Sequence, residues 1–149
     1  DPYVLIDANF LTRKDSPIRT NTDVDKDDVT IMLYGRSAYD LWLSDHYLKP
    51  RYLRVETIDL SHQRFKDGEG DVLASLKPKL LSELAGEGGE AYRLITEPFT
   101  AIKQAVGMRP NHPEALAFIN GVIAHLLASG FIANALKTHQ VADKLSLPR

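Results

Sequence analysis

An α/β fold is predicted by three features of the sequence. Short apolar runs such as "VTIMLY" and "DVLASL" alternate with stretches of helical spacing. Gly, Pro, Ser and Asp punctuate the changes between them. The 149 residues, 44% hydrophobic and 26% charged, suffice for an ordinary core. Alternation of this kind predicts a largely parallel sheet.

"YVLIDANFLTR" reads as an extended segment, with Asp7-Ala8-Asn9 as a polar break inside it. "KDSPIRTNTDVDKDD" is polar and without an apolar period, so it reads as a surface loop carrying one helical turn. "VTIMLY" is a buried strand. Helical spacing begins at Ser37, which can cap the helix; Tyr39, Trp42, Leu43, His46 and Tyr47 fall near one face, and Pro50 follows the end. "RYLRVETI" alternates as a strand. "DLSHQRFKDGEG" is a short helix and a Gly-rich turn, and "DVLASL" is a strand ended by Lys77-Pro78. "KLLSELAG" is a helix closed by Gly86, and "GEGGE" is a flexible turn. "AYRLITEPFTAIKQAVG" holds two strands interrupted at Pro98. The strongest helical signal starts near Asn111, where Glu114 three residues on suggests a capping box. Its apolar stripe contains Leu116, Ile119, Ile123, Leu126 and Leu127, widened by Phe118 and Val122. Ser129-Gly130 breaks it into two helices.

Composition removes several function classes. The net charge of −2 supplies no basic field for nucleic acid. Absence of cysteine excludes disulfides, thiol catalysis and thiolate metal sites, and suits oxidising and reducing compartments alike. No apolar run approaches the ~20 residues that cross a bilayer. The opening "DPYVLIDANFL" lacks the basic start of a signal peptide. The five histidines are scattered without metal-binding spacing, and "DVDKDD" lacks the glycine and terminal glutamate of a calcium loop.

The turn "GRS" joins the strand "VTIMLY" to the next helix. A nucleophile elbow would need a second glycine where Tyr39 stands, and no ordered acid or histidine follows. An anion site needs less. Free N–H groups at a helix start attract a carboxylate or phosphate, Gly35 permits close approach, and Arg36 can add a charge-assisted bond. The alternative is that Ser37 is only a cap and Arg36 a solvated side chain.

In order, "DPYV", "LTRKDSPIRT", "VDKDDVTIMLYGRSAYD", "GEGDVLASLKP" and "SGFIANALKTH" resemble the C-terminal part of type II periplasmic solute-binding proteins of ABC importers, the polar amino acid receptor family. The resemblance covers nearly the whole chain. It implies two α/β lobes around a ligand cleft. Residues 1–8 would be a first-lobe remnant and hinge, 9–98 the second lobe, and 99–149 the return hinge and C-terminal helices of the first lobe. The N-terminal part of the first lobe is absent from the resemblance. The final helices are therefore expected to present an uncovered apolar stripe: either the sequence is a fragment, or a second copy or a separate chain completes the first lobe.

The resemblance implies ligand contacts at Arg36, Ser37 and Ala38. It also places Leu76 where amino acid receptors carry an aspartate for the α-ammonium; a leucine cannot pair a cation, which puts that binding mode in doubt. Lys77 beside it favours an acidic ligand, or is a solvated lysine at a strand end. Asp7 and Asn9 fall near the first hinge, Glu97 and Phe99 near the second; they touch ligand or satisfy the crossing backbone. The implied activity is non-enzymatic capture of a small polar or anionic solute, with a membrane permease as partner, no cofactor, no nucleic acid, and a periplasmic or extracytoplasmic location. The rivals are a dehydratase on the same fold, with Glu97 and Asp7 as the nearest acid or base groups, and a ligand-sensing domain.

Overall fold

The structure, a computed structural model, describes residues 1–148. Contacts divide the chain into two compact units: Asp7–Ala101, and Asp1–Ile6 with the segment from Ile102 onward. In order the elements are β1 (Pro2–Arg13), α1 (Asn21–Val24), β2 (Thr30–Tyr34), α2 (Ala38–His46), β3 (Arg51–Val55), α3 (Ile58–Lys66), β4 (Val72–Leu76), α4 (Lys77–Ala85), β5 (Tyr92–Leu94), β6 (Thr100–Ala105), α5 (Pro113–Ala128) and α6 (Phe131–Thr138).

In the Asp7–Ala101 unit the sheet order is β3-β2-β4-β1-β5; β6, most of which belongs to the other unit, pairs with β1. The expectation of a largely parallel sheet is corrected: β3, β2 and β4 run parallel, but β1 is antiparallel to both β4 and β5. The parallel trio is the part built by strand–helix–strand crossovers, which need that direction. A second correction concerns Asp7-Ala8-Asn9, which do not interrupt β1. Ala8 and Asn9 are fully buried, and Asn9 Nδ2 donates to the carbonyls of Ile95 and Thr96 at 3.0 and 3.2 Å. The Nδ2 donors are thereby paired inside the strand, while Oδ1 is buried without a partner.

Each sheet face has its own cover. Leu11, Met32 and Leu73 form one core with Phe65 of α3 and Leu80 of α4. On the other face Phe10 packs against Tyr47, just after α2, and Phe99, at centroid distances of 5.8 and 4.4 Å. Thus α2 lies on one side of the sheet and α3 and α4 on the other. The "GEGGE" turn closes tightly as a 3-10 turn over Gly89–Ala91. A Cβ on Gly89 would lie 2.2 Å from the Leu84 carbonyl oxygen, so only glycine fits there. The strand expected over "RYLRVETI" stops at Val55, because Thr57 turns to cap α3.

In the other unit, Leu5 and Ser146 exchange backbone hydrogen bonds at 2.8 and 3.0 Å. The capping box expected at Asn111 and Glu114 is corrected. The cap of α5 is His112, without a side-chain bond, and Asn111 has φ +66°. Pro113 explains the shift, since a residue before proline is disfavoured in the helical region. Ser129-Gly130 separates α5 from α6 as expected. The apolar stripe of α5 is partly uncovered: Phe118 is 73% and Leu116 47% exposed, Ile119, Leu126 and Leu127 are half-buried and Ile123 is buried; Phe131 of α6 is 59% exposed.

Candidate functional site

Parallel strands put the starts of their following helices at one edge. Here β2 leads through Gly35-Arg36-Ser37 into α2, β3 through Glu56-Thr57 into α3, and β4 directly into α4. β2 and β4 are neighbours, and the helices that follow them cover opposite faces. The junction of the β2 and β4 ends, at Arg36-Ser37 and Leu76-Lys77, is therefore a topological switch point, the kind of place where open α/β sheets bind ligands. Three helix N-termini lend the edge positive potential.

The turn has specific geometry. Arg36 sits in the left-handed region at φ +64°, a conformation that costs an arginine about 1–2 kcal/mol. Asp40 offsets this: its Oδ2 accepts the Arg36 backbone N–H at 2.7 Å. Ser37 Oγ accepts the Asp40 N–H at 3.1 Å and caps α2. Asp40 is buried and also bonded by Arg54 Nε at 3.0 and 3.2 Å. Its negative charge is thus used inside the turn. The Arg36 guanidinium is exposed and makes no ion pair among the described residues. It borders a depression of about 460 Å³ lined by Tyr34, Gly35, Arg36, Arg54, Val55 and Glu56. Ser37 has extended backbone and no histidine bonded to its hydroxyl, so it has no elbow geometry.

The remaining candidates divide clearly. Ala38 is exposed at the first turn of α2. Leu76 caps α4 with no side-chain bond and stands opposite Ala8 in the β1–β4 register. Lys77 Nζ lies 3.3 Å from Asp7 Oδ2, so these two are brought together. Asn9 is fully buried on backbone carbonyls, and Phe99 is buried against Phe10, with its N–H on the Ala8 carbonyl at 3.0 Å. The Glu97 side chain is exposed.

Sequence reading passed over Asp40, Thr57 and His62. The Ser37-x-x-Asp40 spacing was a visible signal, being that of a helix start with an acid at the third position. Thr57 Oγ1 accepts the Leu60 N–H at 3.1 Å. His62 is buried; its Nε2 lies 2.9 Å from Ser75 Oγ and its Nδ1 3.1 Å from Glu83 Oε1, an arrangement no local motif announces. Burial pushes its proton affinity down, Glu83 pulls it up, and Lys79 and Lys66 push it down further; the net shift is downward.

No protein-family model and no curated protein matches the sequence. Solved structures do match. A putative binding component of an ABC transporter from Wolinella succinogenes, complexed with lysine, has a TM-score of 0.77 at 15% identity, over 93% of this chain and 60% of that one. A solute receptor for L-cysteine from Neisseria gonorrhoeae has a TM-score of 0.71 at 17% identity, over 100% of this chain and 62% of its own. The ancestral amino acid-binding protein AncCDT-1, a precursor of cyclohexadienyl dehydratase, has 0.72 at 18%, over 93% and 59%. The chain therefore spans about 60% of the length of the structures it resembles, and it has the type II solute-binding fold in part.

Proposed function

We propose that this chain, carrying part of the type II solute-binding fold, belongs to the substrate-binding component of an ABC-type importer and holds a small polar or anionic solute. The observation that carries the reading is Arg36. It is an unpaired, exposed guanidinium on a turn held at φ +64°, at a helix start on the switch-point edge. Backbone N–H groups and a guanidinium together suit a carboxylate. Strained non-glycine turns cluster at ligand sites, which adds to the argument.

Leu76 leaves the start of α4 without a carboxylate and Asp7 is engaged by Lys77, while Glu56 lines the depression beside Arg36 and Arg54. The solute in this reading is amino acid-like or a simple carboxylate, gripped by its acidic end at Arg36, Ser37 and the Ala38 backbone. Residues 9–98 act as the second lobe in this assignment, and 1–8 and 99–149 as first-lobe parts. An extracytoplasmic location and a permease partner follow from the same reading. So does cover for the exposed α5 and α6 residues by a further part of the receptor or a second copy.

The test is native mass spectrometry of the purified chain, with denaturing extraction of any carried small molecule. A co-purified carboxylate lost in Arg36→Ala supports the reading; a carried solute retained by Arg36→Ala contradicts it. A second reading, a dehydratase-type enzyme, is favoured by the likeness to AncCDT-1. It needs a free acid or base, and of its two candidates Asp7 is paired while Glu97 is exposed. Turnover of a prephenate-like substrate would support it over simple binding.

A further inference from the structure

The buried polar chain behind the edge is unused by the reading above. Glu83 of α4, itself ion-paired to Lys66, faces Nδ1 of His62; Ser75 of β4 faces Nε2. A carboxylate only accepts, so in the neutral ring Nδ1 carries the proton and Nε2 accepts the Ser75 O–H. This accounts for the bare acceptor on Asn9. Asn9 is the cross-strand partner of Ser75, and its Oδ1 is buried with no hydrogen bond. The Tyr39 hydroxyl is also buried and unbonded, although it neighbours the hydroxyls of Ser37 and Ser75. Ser75 has one proton, and His62 Nε2 holds it, so Asn9 Oδ1 receives none from Ser75.

We propose that His62 is a positioning residue that couples proton uptake to anion binding at the edge formed by Arg36, Ser37 and Lys77. The inference rests on the anion-site reading above. When His62 takes a proton from solvent, both ring N–H groups donate. Ser75 Oγ then accepts from Nε2, and its own proton turns toward Asn9 Oδ1 or the Tyr39 oxygen. The Ser75 hydroxyl reverses one residue before Leu76, the cap of α4. The buried Tyr39 hydroxyl of α2 has no partner of its own and is open to a reoriented Ser75 proton. A positive charge is added behind the edge at the same time, which favours an anion there.

The charged groups facing His62 are known from each packed element. Glu83 and Lys79 come from α4, and Lys66 and Asp59 from α3 itself. Glu83 alone among them pairs with the ring, so a protonated His62 has one direct counter-ion. Binding of an anion and of the proton must be reciprocal. An anion at the edge therefore raises the proton affinity of His62, and acid tightens the anion.

The experiment uses inorganic sulfate, whose charge is fixed between pH 5.5 and 7.5, titrated into the full chain with the amide signals of residues 35–38 followed by NMR. Sulfate is expected to bind at least about fivefold more tightly at pH 5.5, the low end of site-to-site coupling. His62→Gln is expected to bind with no such difference. Equal affinity at both pH values, or the same difference in His62→Gln, overturns the coupling but leaves the anion site standing. No movement of residues 35–38 at either pH overturns both. Should His62→Gln fail to fold, the ring ¹⁵N shifts of the unmodified chain decide the chain of bonds. They are expected to show the proton on Nδ1 at pH 7.5; a proton on Nε2 overturns the inference.

Discussion

Lys77 Nζ lies 3.3 Å from Asp7 Oδ2, so two side chains expected to meet a solute meet each other. Each is about a quarter exposed, so the pair is worth no more than about 1 kcal/mol to the fold. Lys77→Ala should leave the urea midpoint nearly unchanged. It frees the Asp7 carboxylate, and should shift preference from carboxylates toward cationic solutes in thermal-shift assays. An unchanged ranking of the two classes would show that Asp7 stays out of the site.

Arg36 offers a separation of strain from charge. Arg36→Gly removes the left-handed penalty of about 1–2 kcal/mol and the guanidinium together. The variant should be as stable as the parent or more so in urea, yet lose affinity for an anionic solute. Gain of stability with unchanged affinity would reduce the turn to a structural cap.

Asp40 is the counterpart. It is buried, and its carboxylate receives the Arg36 N–H and the Arg54 Nε. Asp40→Asn should cost about 1–3 kcal/mol by denaturant unfolding, because the Arg36 N–H and Arg54 Nε lose a charged acceptor. The amide signals of residues 35–37 should broaden as the turn loosens.

His62 makes stability depend on pH. Its folded-state proton affinity is lowered, chiefly by burial, so below its ordinary pKa of 6.5 the unfolded chain binds the extra proton. Stability is full above that value and declines as pH falls through it. Glu83 is raised by burial, but Lys66 and His62 hold it below its ordinary value; its contribution is lost at lower pH still. Urea midpoints should drop between pH 7.5 and 5.5, and His62→Leu should remove that part of the drop. A flat profile in the parent chain would contradict the neutral, buried ring.

The exposed α5 and α6 side chains should make the chain self-associate as concentration rises, with Phe118 and Phe131 as the main contributors. The double change Phe118→Ser and Phe131→Ser should lower the sedimentation coefficient at high concentration with little effect on unfolding. A parent chain that stays monomeric throughout would show that these residues are not adhesive.

Local chemistry made most elements legible. The change from β-branched to helical spacing at Gly35-Arg36-Ser37 announced both β2 and the Ser37 cap. What stayed hidden depends on distant partners. Asp7-Ala8-Asn9 looked like a break because the carbonyls of Ile95 and Thr96, which accept from Asn9 Nδ2, lie far along the chain. The antiparallel direction of β1 is likewise set by its pairing with β4 and β5. Arg36 was legible as a candidate from its neighbours. The triad of Ser75, His62 and Glu83 was not, since its members come from three elements with no common motif.

The central claim is that the Gly35–Ala38 turn grips an acidic group with Arg36. It is tested most directly by titrating the chain with a panel of amino acids and simple carboxylates while following its backbone amide signals. The account predicts saturable shifts of Gly35, Ser37 and Ala38 with at least one anionic solute, abolished in Arg36→Ala. Shifts confined to other residues, or unchanged affinity in Arg36→Ala, would contradict it.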